Sequence, residues 1–512
     1  MTLHSFRLLA ITSLCLVLVA GCGQDSAKAP RTPEPQVLRV AIGSLPPSLG
    51  NPFRGNGRPG SLLWLAIYDG LTAIDDDGNL GPGLAMEWAA IEPTVWRFRL
   101  REGVRYSNGN PFDAQAASDV FAFLHSEQGA RTLMGTEARG IVSARAIAPY
   151  ELEIRTQRPD PVLPRRLAAF MMIEPKALAE MGVDAYAQKP VGTGAFVMTG
   201  WDQRTRRLTL TRNPASWRPS TIDGVVFYEL PNAAGRTQAL LSGDVDLSLV
   251  DLEETERLER NHFQVIHTPS MQVKAYSFRN VGGDPTSPLR DLRVRQALNY
   301  AVDKDAIASL LPPGAAPSGQ PAPKGAFGHD PSIAPYPYSP GKARRLLSEA
   351  GYPDGFDLTM EVMTDAAPGD DLMSQAIAEY WRAVGVKTRL KVMTMPDFLM
   401  KYQTNNWAGE ALALSWNSFQ YYDVTRSMED FSCLRPTPFF CDTDITEKLQ
   451  VAREIMDDSL RLKAYQELGR LYHDAAPSLF LIEHQDLFAY SPRVGNVKIR
   501  HRVPVYEDMI LQ

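Results

Sequence analysis

The residue types that catalyse reactions are present in this chain of 512 residues, but their spacing matches no common catalytic motif. No Gly-x-Ser-x-Gly elbow, Walker loop, His-Glu-x-x-His helix or dinucleotide Gly-x-Gly-x-x-Gly occurs, and the eight histidines are scattered. Gly192-Thr193-Gly194 lacks the Lys-Ser/Thr pair that grips phosphate, which favours a turn with closely packed backbones. Asp75-Asp76-Asp77-Gly78 lacks the spaced oxygens of a calcium loop and indicates a hairpin turn. We expect no catalytic residues, no cofactor and no metal site.

Two of the four cysteines, Cys433 and Cys441, fall within one short segment. In an oxidising compartment we expect them to form a disulfide. Closing so short a loop stabilises a fold by about 2 kcal/mol. The alternative is a two-ligand metal site, but no Cys or His cluster supplies the remaining ligands.

The N-terminus carries an apolar run that begins near Leu8 and ends in small residues before Cys22. Its length and the preceding Arg7 are typical of a cleaved secretory signal rather than a spanning helix. Leu18-Val-Ala-Gly-Cys22 resembles a bacterial lipobox, in which the cysteine is acylated and becomes the new N-terminus. We predict a lipoprotein signal over residues 1–21 and a lipid anchor at Cys22. The alternative is an ordinary signal peptide that contains a cysteine.

Residues 22–35 are rich in Pro, Ala, Ser and charged side chains, which predicts a flexible tether. No later apolar run reaches 18 residues, so nothing else is expected to span a bilayer. The rest is long enough for two or three lobes, and its 44% hydrophobic and 22% charged residues are typical of a folded globule. The formal net charge of −6 argues against a nucleic-acid partner.

Periodicity predicts a mixed α/β chain. Alternation over Val37–Ile42 indicates a strand. A strand at 358–362, a helix at 372–381 ended by Gly385 and a strand at 386–392 form a crossover unit, which implies parallel strands. Further amphipathic helices are predicted around 343–350, 449–456 and 460–471, the last with an N-cap within Asp457-Asp458-Ser459. The Pro- and Gly-rich stretch 311–340 predicts an irregular connector.

Several motifs follow one another along the chain: Ile67-Tyr-Asp-Gly-Leu71, Leu84-Ala-Met-Glu-Trp88, Trp96 to Val104 with Asn108-Gly109, Pro190 to Phe196, Trp201, Arg212-Asn-Pro-Ala-Ser-Trp217, Gly243-Asp-Val-Asp246, Arg290 to Asp303 and Lys342 to Tyr352. In this order they resemble the family 5 extracellular solute-binding proteins, which are the oligopeptide, dipeptide and nickel binders of ATP-driven importers. The resemblance covers nearly the whole mature chain. From the residues themselves, we place Trp96, Phe98, Leu100 and Val104 in a core and Asp291 at a helix N-cap.

The resemblance implies a periplasmic-binding-protein-like fold of type II, cluster C, in which two main lobes close around a hinge and an extra lobe is inserted. We place the boundaries at 36–72, 193–270 and 486–512 for lobe I, 73–192 for lobe II and 271–485 for lobe III. The solute is expected between lobes I and III, where closure over it signals to the importer.

The resemblance also implies where a solute lies. In the family's peptide binders, an acidic residue three positions after a tryptophan grips the peptide's ammonium. Here Trp416 is followed by Asn417, and Phe419 takes the acid's place. An ammonium about 4 Å from a carboxylate gains on the order of 4 kcal/mol at an effective dielectric near 20. Either Asp423 replaces this anchor or the solute has no free amino terminus.

Further candidate contacts come from aromatic residues and from family position. The aromatic run from Trp416 to Tyr422 suits an apolar or cationic solute, although its alternate members also suit core packing. Family position adds Ser44 and Leu45 after the first strand, and Tyr276 and Phe278 on a strand between lobes.

The sequence therefore predicts the solute-binding subunit of an ATP-driven importer rather than an enzyme. Its expected partners are a peptide or peptide-like small solute and the permease subunits in the inner membrane. We expect a monomer, lipid-anchored on the periplasmic side of the cell envelope, to the inner or the outer membrane. The alternatives are a nonpeptide solute such as a nickel chelate, an opine or an oligosaccharide, and a sensor or scaffold with the same fold.

Overall fold

The computed structural model describes residues 35–512 apart from 56–57, 76, 364–368 and 501. The predicted signal, Cys22 and the tether up to residue 34 lie outside the described residues, as do Asp76 and the predicted turn at Pro368. Within the described ranges, no helix is long and apolar enough to cross a membrane, and no group of three or more His, Cys, Asp and Glu side chains is placed to hold a metal ion.

A large sheet of twelve strands runs through the molecule. Its strands in chain order are β1 (Val37–Ile42), β8 (Phe196–Asp202), β9 (Arg207–Arg212), β10 (Gly224–Glu229), β11 (Leu247–Leu249), β12 (Gln264–Phe278), β13 (Ala316–Pro317), β14 (Phe356–Met363), β15 (Val386–Met393), β16 (Ala411–Leu412), β17 (Trp416–Asn417) and β18 (Ser478–Tyr490). The predicted first strand is confirmed, since Leu38 and Val40 are buried while Arg39 is partly exposed.

The spatial order divides the large sheet into two halves that share two strands. The order is β15-β14-β16-β12-β18-β11-β1-β10-β9-β8, with β13 on β18 and β17 on β12. We call β1 and β8 to β11 the first half, and β13 to β17 the second half. Only the long antiparallel strands β12 and β18 belong to both, and each half packs its own hydrophobic core.

The second half contains the predicted crossover unit. β14 and β15 pair in parallel along their whole length, joined by the helix Asp370–Arg382. Gly385 follows that helix with a φ of 99°, the left-handed conformation that favours glycine after a helix. Trp381 is fully buried beneath the strands, and its indole N–H donates to the Leu298 carbonyl at 3.0 Å.

A separate antiparallel sheet of four strands packs against the core of the first half. Its order is β4-β5-β7-β6, formed by β4 (Ala85–Glu92), β5 (Val95–Leu100), β6 (Ile141–Ala148) and β7 (Glu151–Thr156). Trp96, Phe98, Leu100 and Val104 are buried, as predicted. Three two-stranded sheets complete the set: β2 (Thr72–Ile74) with β3 (Leu80–Pro82), β19 (Val494–Gly495) with β22 (Ile510–Leu511), and β20 (Ile499–Arg500) with β21 (Val503–Pro504).

Helices flank the sheets. They are α1 (Arg58–Ile67), α2 (Ala114–His125), α3 (Glu127–Ala130), α4 (Leu133–Glu137), α5 (Leu163–Arg166), α6 (Pro175–Met181), α7 (Val183–Gln188), α8 (Ala233–Leu241), α9 (Leu252–Arg260), α10 (Leu292–Tyr300), α11 (Lys304–Ala308), α12 (Pro340–Glu349), α13 (Asp370–Arg382), α14 (Met395–Thr404), α15 (Thr425–Asp430), α16 (Thr443–Ala452) and α17 (Asp458–Ala475). Asp291 and Asp457 cap α10 and α17, as predicted, while α16 ends four residues before Met456. The predicted connector 311–340 contains only the two-residue strand β13 before α12 begins.

The predicted disulfide is confirmed, because Cys433 and Cys441 are bonded. The loop it closes lies between α15 and α16. Asn280 holds the same loop from the second half of the large sheet: its side chain accepts from the Cys441 N–H at 2.9 Å and donates to the Cys441 carbonyl at 3.0 Å. The loop is thus fixed both covalently and by hydrogen bonds.

Three distant motifs meet at the buried carboxylate of Asp69. The Thr193 hydroxyl donates to it at 2.6 Å and the Trp217 indole N–H at 3.0 Å. Arg218 forms an ion pair with the same carboxylate at 2.8 Å and a second ion pair with Glu507. These motif residues therefore build the body of the fold.

The close packing predicted for Gly192-Thr193-Gly194 is also confirmed. A side-chain carbon at Gly192 would lie 2.1 Å from the Ile67 carbonyl oxygen, and one at Gly194 would lie 2.5 Å from the Ile67 carbonyl carbon. The Gly194 N–H donates to that same carbonyl at 2.9 Å. Only glycine permits this approach of the two backbones.

We predict that Asp69→Ala lowers the free energy of unfolding by about 3 kcal/mol, because it removes one partner of a buried ion pair and two further hydrogen bonds. Urea denaturation followed by circular dichroism measures this loss. Asp184→Ala is the control, since the Asp184 side chain is 93% exposed and its pair with Arg54 is loose at 3.4 Å. Equal stability of the two variants would contradict the structural role of Asp69.

Candidate functional site

The two strands shared by both halves change register where they pass from one half to the other. Gln264–Pro269 pair with Tyr490–Gln485, and pairing resumes only at Val273 with Glu483. The three residues between, Ser270, Met271 and Gln272, form a bulge opposite His484. Met271 has a φ of 52°, a left-handed conformation that costs a non-glycine residue about 1 kcal/mol or more. We call Ser270–Gln272 and His484 the junction.

An apolar cluster lies beside the junction and brings distant segments together. Met271, Phe419 and Tyr422 pack against Ile74 and Ala168, with Leu80 adding to the contact. The hairpin of β2 and β3 approaches so closely that a side-chain carbon at Gly78 would lie 2.5 Å from the Tyr422 ring. We call this interface between residues 74–168 and residues 271–422 the cleft. Its two walls fall in the predicted lobes II and III, whereas the resemblance implied a solute between lobes I and III.

Hydrogen bonds and an ion pair also cross the cleft. The Arg165 guanidinium donates to the Gly78 carbonyl at 2.9 Å and to the Tyr421 carbonyl at 3.2 Å. The Tyr421 hydroxyl donates to Glu137 at 2.8 Å, and Arg426 pairs with the same carboxylate at 3.0 Å. Burial lowers the pKa of Arg165 and raises the pKa of Tyr421. The two walls are therefore in direct polar contact.

A cavity of about 400 Å³ adjoins these contacts, between residues 136–166 and residues 421–454. That volume lies within the range of small-molecule sites. Its arginines are already paired with carboxylates. Arg426 with Glu137 at 3.0 Å and Arg158 with Glu454 at 3.1 Å pair across the cavity, whereas Arg453 with Glu429 at 2.9 Å and Arg166 with Asp160 pair on one side of it. The cavity thus presents matched charges.

Buried charges surround the junction on its other side. The Arg502 guanidinium donates to Asp486 at 2.5 and 2.9 Å and lies 5.1 Å from the centre of the Phe419 ring. Lys274 pairs with Asp370. His484 is 5% exposed, and its burial lowers its pKa to about 4, so the imidazole is neutral at physiological pH.

The prediction that Trp416 contacts the solute does not fit its position in the structure. Trp416 is 0% exposed. Its ring stacks on Phe431 with centroids 4.0 Å apart and meets Tyr472 and Phe480 at 5.1 and 5.3 Å. Its indole N–H donates to the Ser478 hydroxyl at 2.9 Å. Trp416 is a core residue whose surface is taken up by protein contacts.

Tyr276 and Phe278 are likewise core residues rather than solute contacts. Both are 0% exposed. The Tyr276 hydroxyl bonds the Ser374 hydroxyl at 2.8 Å, and the Phe278 ring packs 6.1 Å from Trp381. Both side chains face the helix layer under the second half of the large sheet. Their strand, β12, does run between the halves, but these two residues lie beyond the junction.

Asp423 does not provide the missing anchor in this structure. Its carboxylate accepts from the Arg461 guanidinium at 2.6 Å and from the Thr425 N–H at 2.8 Å, and it is 0% exposed. An ammonium would have to displace Arg461, and breaking such a buried pair costs about 3–5 kcal/mol. Asp423 therefore anchors α17 to the loop that follows β17.

The remaining predicted contacts lie at different distances from the cleft. Phe419 and Tyr422 are in it. Asn417 is partly exposed next to it, and its side chain accepts from the Phe419 N–H at 3.0 Å. Ser44 is exposed after β1, while Leu45 is 5% exposed and packs in the core of the first half. The solute-contact role of these five residues stays a prediction.

Four residues in or beside the cleft were not predicted: Met271 and Arg165 in the cleft, His484 in the junction, and Arg502 next to the Phe419 ring. Met271 and Arg165 come from a continuous strand and a short helix with no distinguishing pattern. His484 and Arg502 are distinguished only by their burial, which the sequence alone does not show. The polar run Glu483-His-Gln-Asp486 in the middle of β18, between apolar residues on both sides, is the one sequence signal that points to this region.

β12 and β18 join the two halves of the large sheet, and the two walls of the cleft meet beside the junction. This arrangement defines a two-sided binding protein of the periplasmic type. The chain belongs to the bacterial extracellular solute-binding proteins, family 5, whose middle region matches residues 79–433. The family and the fold class predicted from the motifs are thereby confirmed. The family comprises solute-binding proteins rather than enzymes.

Curated relatives and solved structures agree with this membership. The glutathione-binding protein GsiB of Escherichia coli (strain K12) is 27% identical over 361 residues, which covers 69% of each chain. A dipeptide-binding protein from Pseudoalteromonas sp. SM9913 in complex with Met-Leu has a TM-score of 0.82 at 18% identity, over 93% of this chain and 100% of that one. DppA from Helicobacter pylori with the peptide STSA has a TM-score of 0.79 at 21% identity, over 93% and 98%. At these identities the structures establish a shared fold.

We predict that Trp416→Ala lowers the free energy of unfolding by about 3–5 kcal/mol, because it empties a site in a packed aromatic core. Urea denaturation of the variant measures the loss. Tyr338→Ala, at a side chain that is 47% exposed, is the control. A Trp416→Ala protein with unchanged stability and a lost response to solute would instead favour direct contact.

We predict that His484 makes the protein less stable in acid. The unfolded chain takes up this proton below a pKa of 6.5, whereas the folded protein does so only near 4. The contribution of His484 is therefore complete above pH 6.5 and is lost as the pH falls towards 4.

Urea denaturation at several pH values tests this prediction. Between pH 6.5 and 4.5, the unfolding free energy of His484→Gln should fall less steeply than that of the unsubstituted protein. His125→Gln, at an exposed residue, should leave the slope unchanged. Parallel curves for His484→Gln and the unsubstituted protein would show that the imidazole is not held neutral.

Proposed function

We propose that this protein captures peptides or peptide-like solutes in the cleft and delivers them to the permease of an ATP-driven importer. The observation that carries the proposal is the junction with the cleft beside it. Two strands connect the halves, and their ladder is interrupted where the walls meet. A solute that touches both walls binds only when they are together, so its affinity favours the closed form.

The relatives support a peptide-like solute. GsiB is described as glutathione-binding, and the solved proteins with the same fold hold Met-Leu and the peptide STSA. In this chain, the aromatic and apolar cleft wall formed by Phe419, Tyr422 and Met271 suits the side chains of short peptides. The paired state of Asp423 requires that such a peptide be held without that carboxylate.

A nonpeptide solute is the second candidate, favoured by the same observation. The carboxylates of Asp423 and Asp486 are both held by arginines, so neither offers a ready site for an ammonium. Proteins of this fold also include AgaA in complex with agropinic acid, at a TM-score of 0.78 and 20% identity. Native mass spectrometry of gently purified protein weighs any co-purified solute and distinguishes the two candidates.

The proposal includes the boundaries and location expected from the sequence. Residues 36–72, 193–270 and 486–512 would form lobe I, residues 73–192 lobe II and residues 271–485 lobe III, with the junction as the hinge. The junction supports this division, because the boundary at residues 270 and 485 falls at the break in the ladder. A lipid on Cys22 would hold a monomer on the periplasmic side of the membrane.

We predict that Arg165→Met weakens solute binding about tenfold, because it removes the charged donor whose hydrogen bond to the Tyr421 carbonyl joins the walls of the cleft and whose hydrogen bond to the Gly78 carbonyl fixes the turn on its own wall. Isothermal titration with the co-purified solute, or with Met-Leu, measures the change. The loss should appear mainly in the dissociation rate, since the contact forms after the walls meet.

Arg204→Met is the matched control, because Arg204 lies exposed in the turn between β8 and β9. If the two variants bound the solute with equal affinity, Arg165 would not contribute to closure of the cleft. Failure of every peptide and peptide-like compound to bind the unsubstituted protein would overturn the proposed solute class.

A further inference from the structure

Three buried polar atoms at the junction have no hydrogen-bond partner in the protein: Ser270 Oγ, Ser418 Oγ and His484 Nε2. Their residues are 0%, 1% and 5% exposed. Leaving a buried donor or acceptor unpaired costs about 1–3 kcal/mol, so native structures rarely keep several together. Such a group calls for a further partner, which a water molecule or a polar group of a solute can supply.

The three side chains come from neighbouring segments that meet in the bulge. Ser270 begins the bulge in β12, and His484 stands opposite it in β18. Ser418 directly follows β17, and its N–H donates to the Met271 carbonyl at 3.0 Å. Backbone pairing of Asn417 with Gln272 fixes the same neighbourhood. The three unpaired atoms therefore belong to one place in the fold, next to the apolar wall of the cleft.

Three carboxylates near this place are neutralised within the protein, while Glu483, beside the bulge, accepts from the Lys324 N–H at 3.1 Å and its burial raises its pKa. Asp486 is held by Arg502, Asp370 by Lys274 and Asp423 by Arg461, and all six side chains are buried. The low pKa of His484 keeps its imidazole uncharged. What the described junction offers a solute is thus two hydroxyls and a neutral imidazole, each able to donate or accept. These groups match an amide better than an ammonium or a carboxylate.

We propose that the junction is a subsite for an uncharged amide of the solute, so that the protein prefers peptides whose ends are blocked or lie outside the cleft. This inference rests on the proposed function, and it narrows the solute class. Ser270, Ser418 and His484 bind the amide C=O and N–H, while Phe419, Met271 and Tyr422 contact the flanking side chains. A charged terminus at this place would lose its hydration without gaining a counter-ion.

Isothermal titration of the whole protein with four forms of Met-Leu tests the proposal: the free dipeptide, the N-acetylated form, the C-amidated form and the doubly blocked form. We expect the doubly blocked form to bind at least tenfold more tightly than the free dipeptide. Tighter binding of the free dipeptide would overturn the amide subsite and leave peptide capture intact. Binding of none of the four would count against the subsite and the peptide function together.

Serine variants supply a second, independent measurement. Ser418→Ala and Ser270→Ala should weaken binding of the doubly blocked dipeptide about fivefold or more, while the empty protein melts at the same temperature or higher, because each removes an unpaired polar atom. Ser277→Ala is the matched control, since its buried hydroxyl is bonded to the Leu414 carbonyl at 2.8 Å and to Ser478 at 2.9 Å. That variant should melt earlier and bind normally. Lower melting temperatures for Ser418→Ala and Ser270→Ala, without loss of affinity, would show that both hydroxyls are structural.

Discussion

The antiparallel ladder of β12 and β18 is the constraint on which the architecture depends. β18 pairs with β11 of the first half and with β13 of the second, while β12 pairs with β16 and β17 of the second half and along most of its length with β18, so this ladder joins the halves in one sheet. The ladder breaks at Ser270–Gln272, where the left-handed Met271 takes up the extra length. A bulge bends and twists a strand pair while preserving its ends. Acting as the proposed hinge, the bulge would let the halves change their relative angle while each keeps its own core.

The cleft places apolar and charged groups in distinct roles. Apolar side chains from both walls exclude water, whereas the charged groups around them are bound to one another. Because Arg461, Arg502 and Lys274 each neutralise a buried carboxylate, closing the walls does not strand an isolated charge. The polar groups left without a hydrogen bond at this place, on Ser270, Ser418 and His484, are uncharged. A cleft of this kind selects its solute by hydrogen bonding and shape more than by net charge.

Most of the fold follows from local sequence patterns, but the side chains of the site do not. The crossover unit 356–393, helices α12 and α17, the cap at Asp291 and the disulfide were all predicted, because each depends on residues close together in the chain. The burial of Trp416 and Asp423 could not be predicted because their partners, Phe431 and Tyr472 for one and Arg461 for the other, are distant in sequence. An aromatic residue near a binding loop has the same local signature whether it packs inward or outward. The bulge at Met271 has no signature at all, since it arises from the mismatch between two long strands.

The Asp69 network has a consequence for the order of folding. Arg218 needs Glu507 as well as Asp69, and β18 and β22 near the end of the chain complete sheets in the first half. The first half of the large sheet and the Asp69 network are therefore complete only when residues 478–511 are in place. For a chain exported as proposed, this dependence would disfavour complete folding of the first half before those residues are made, which suits passage through a translocation channel.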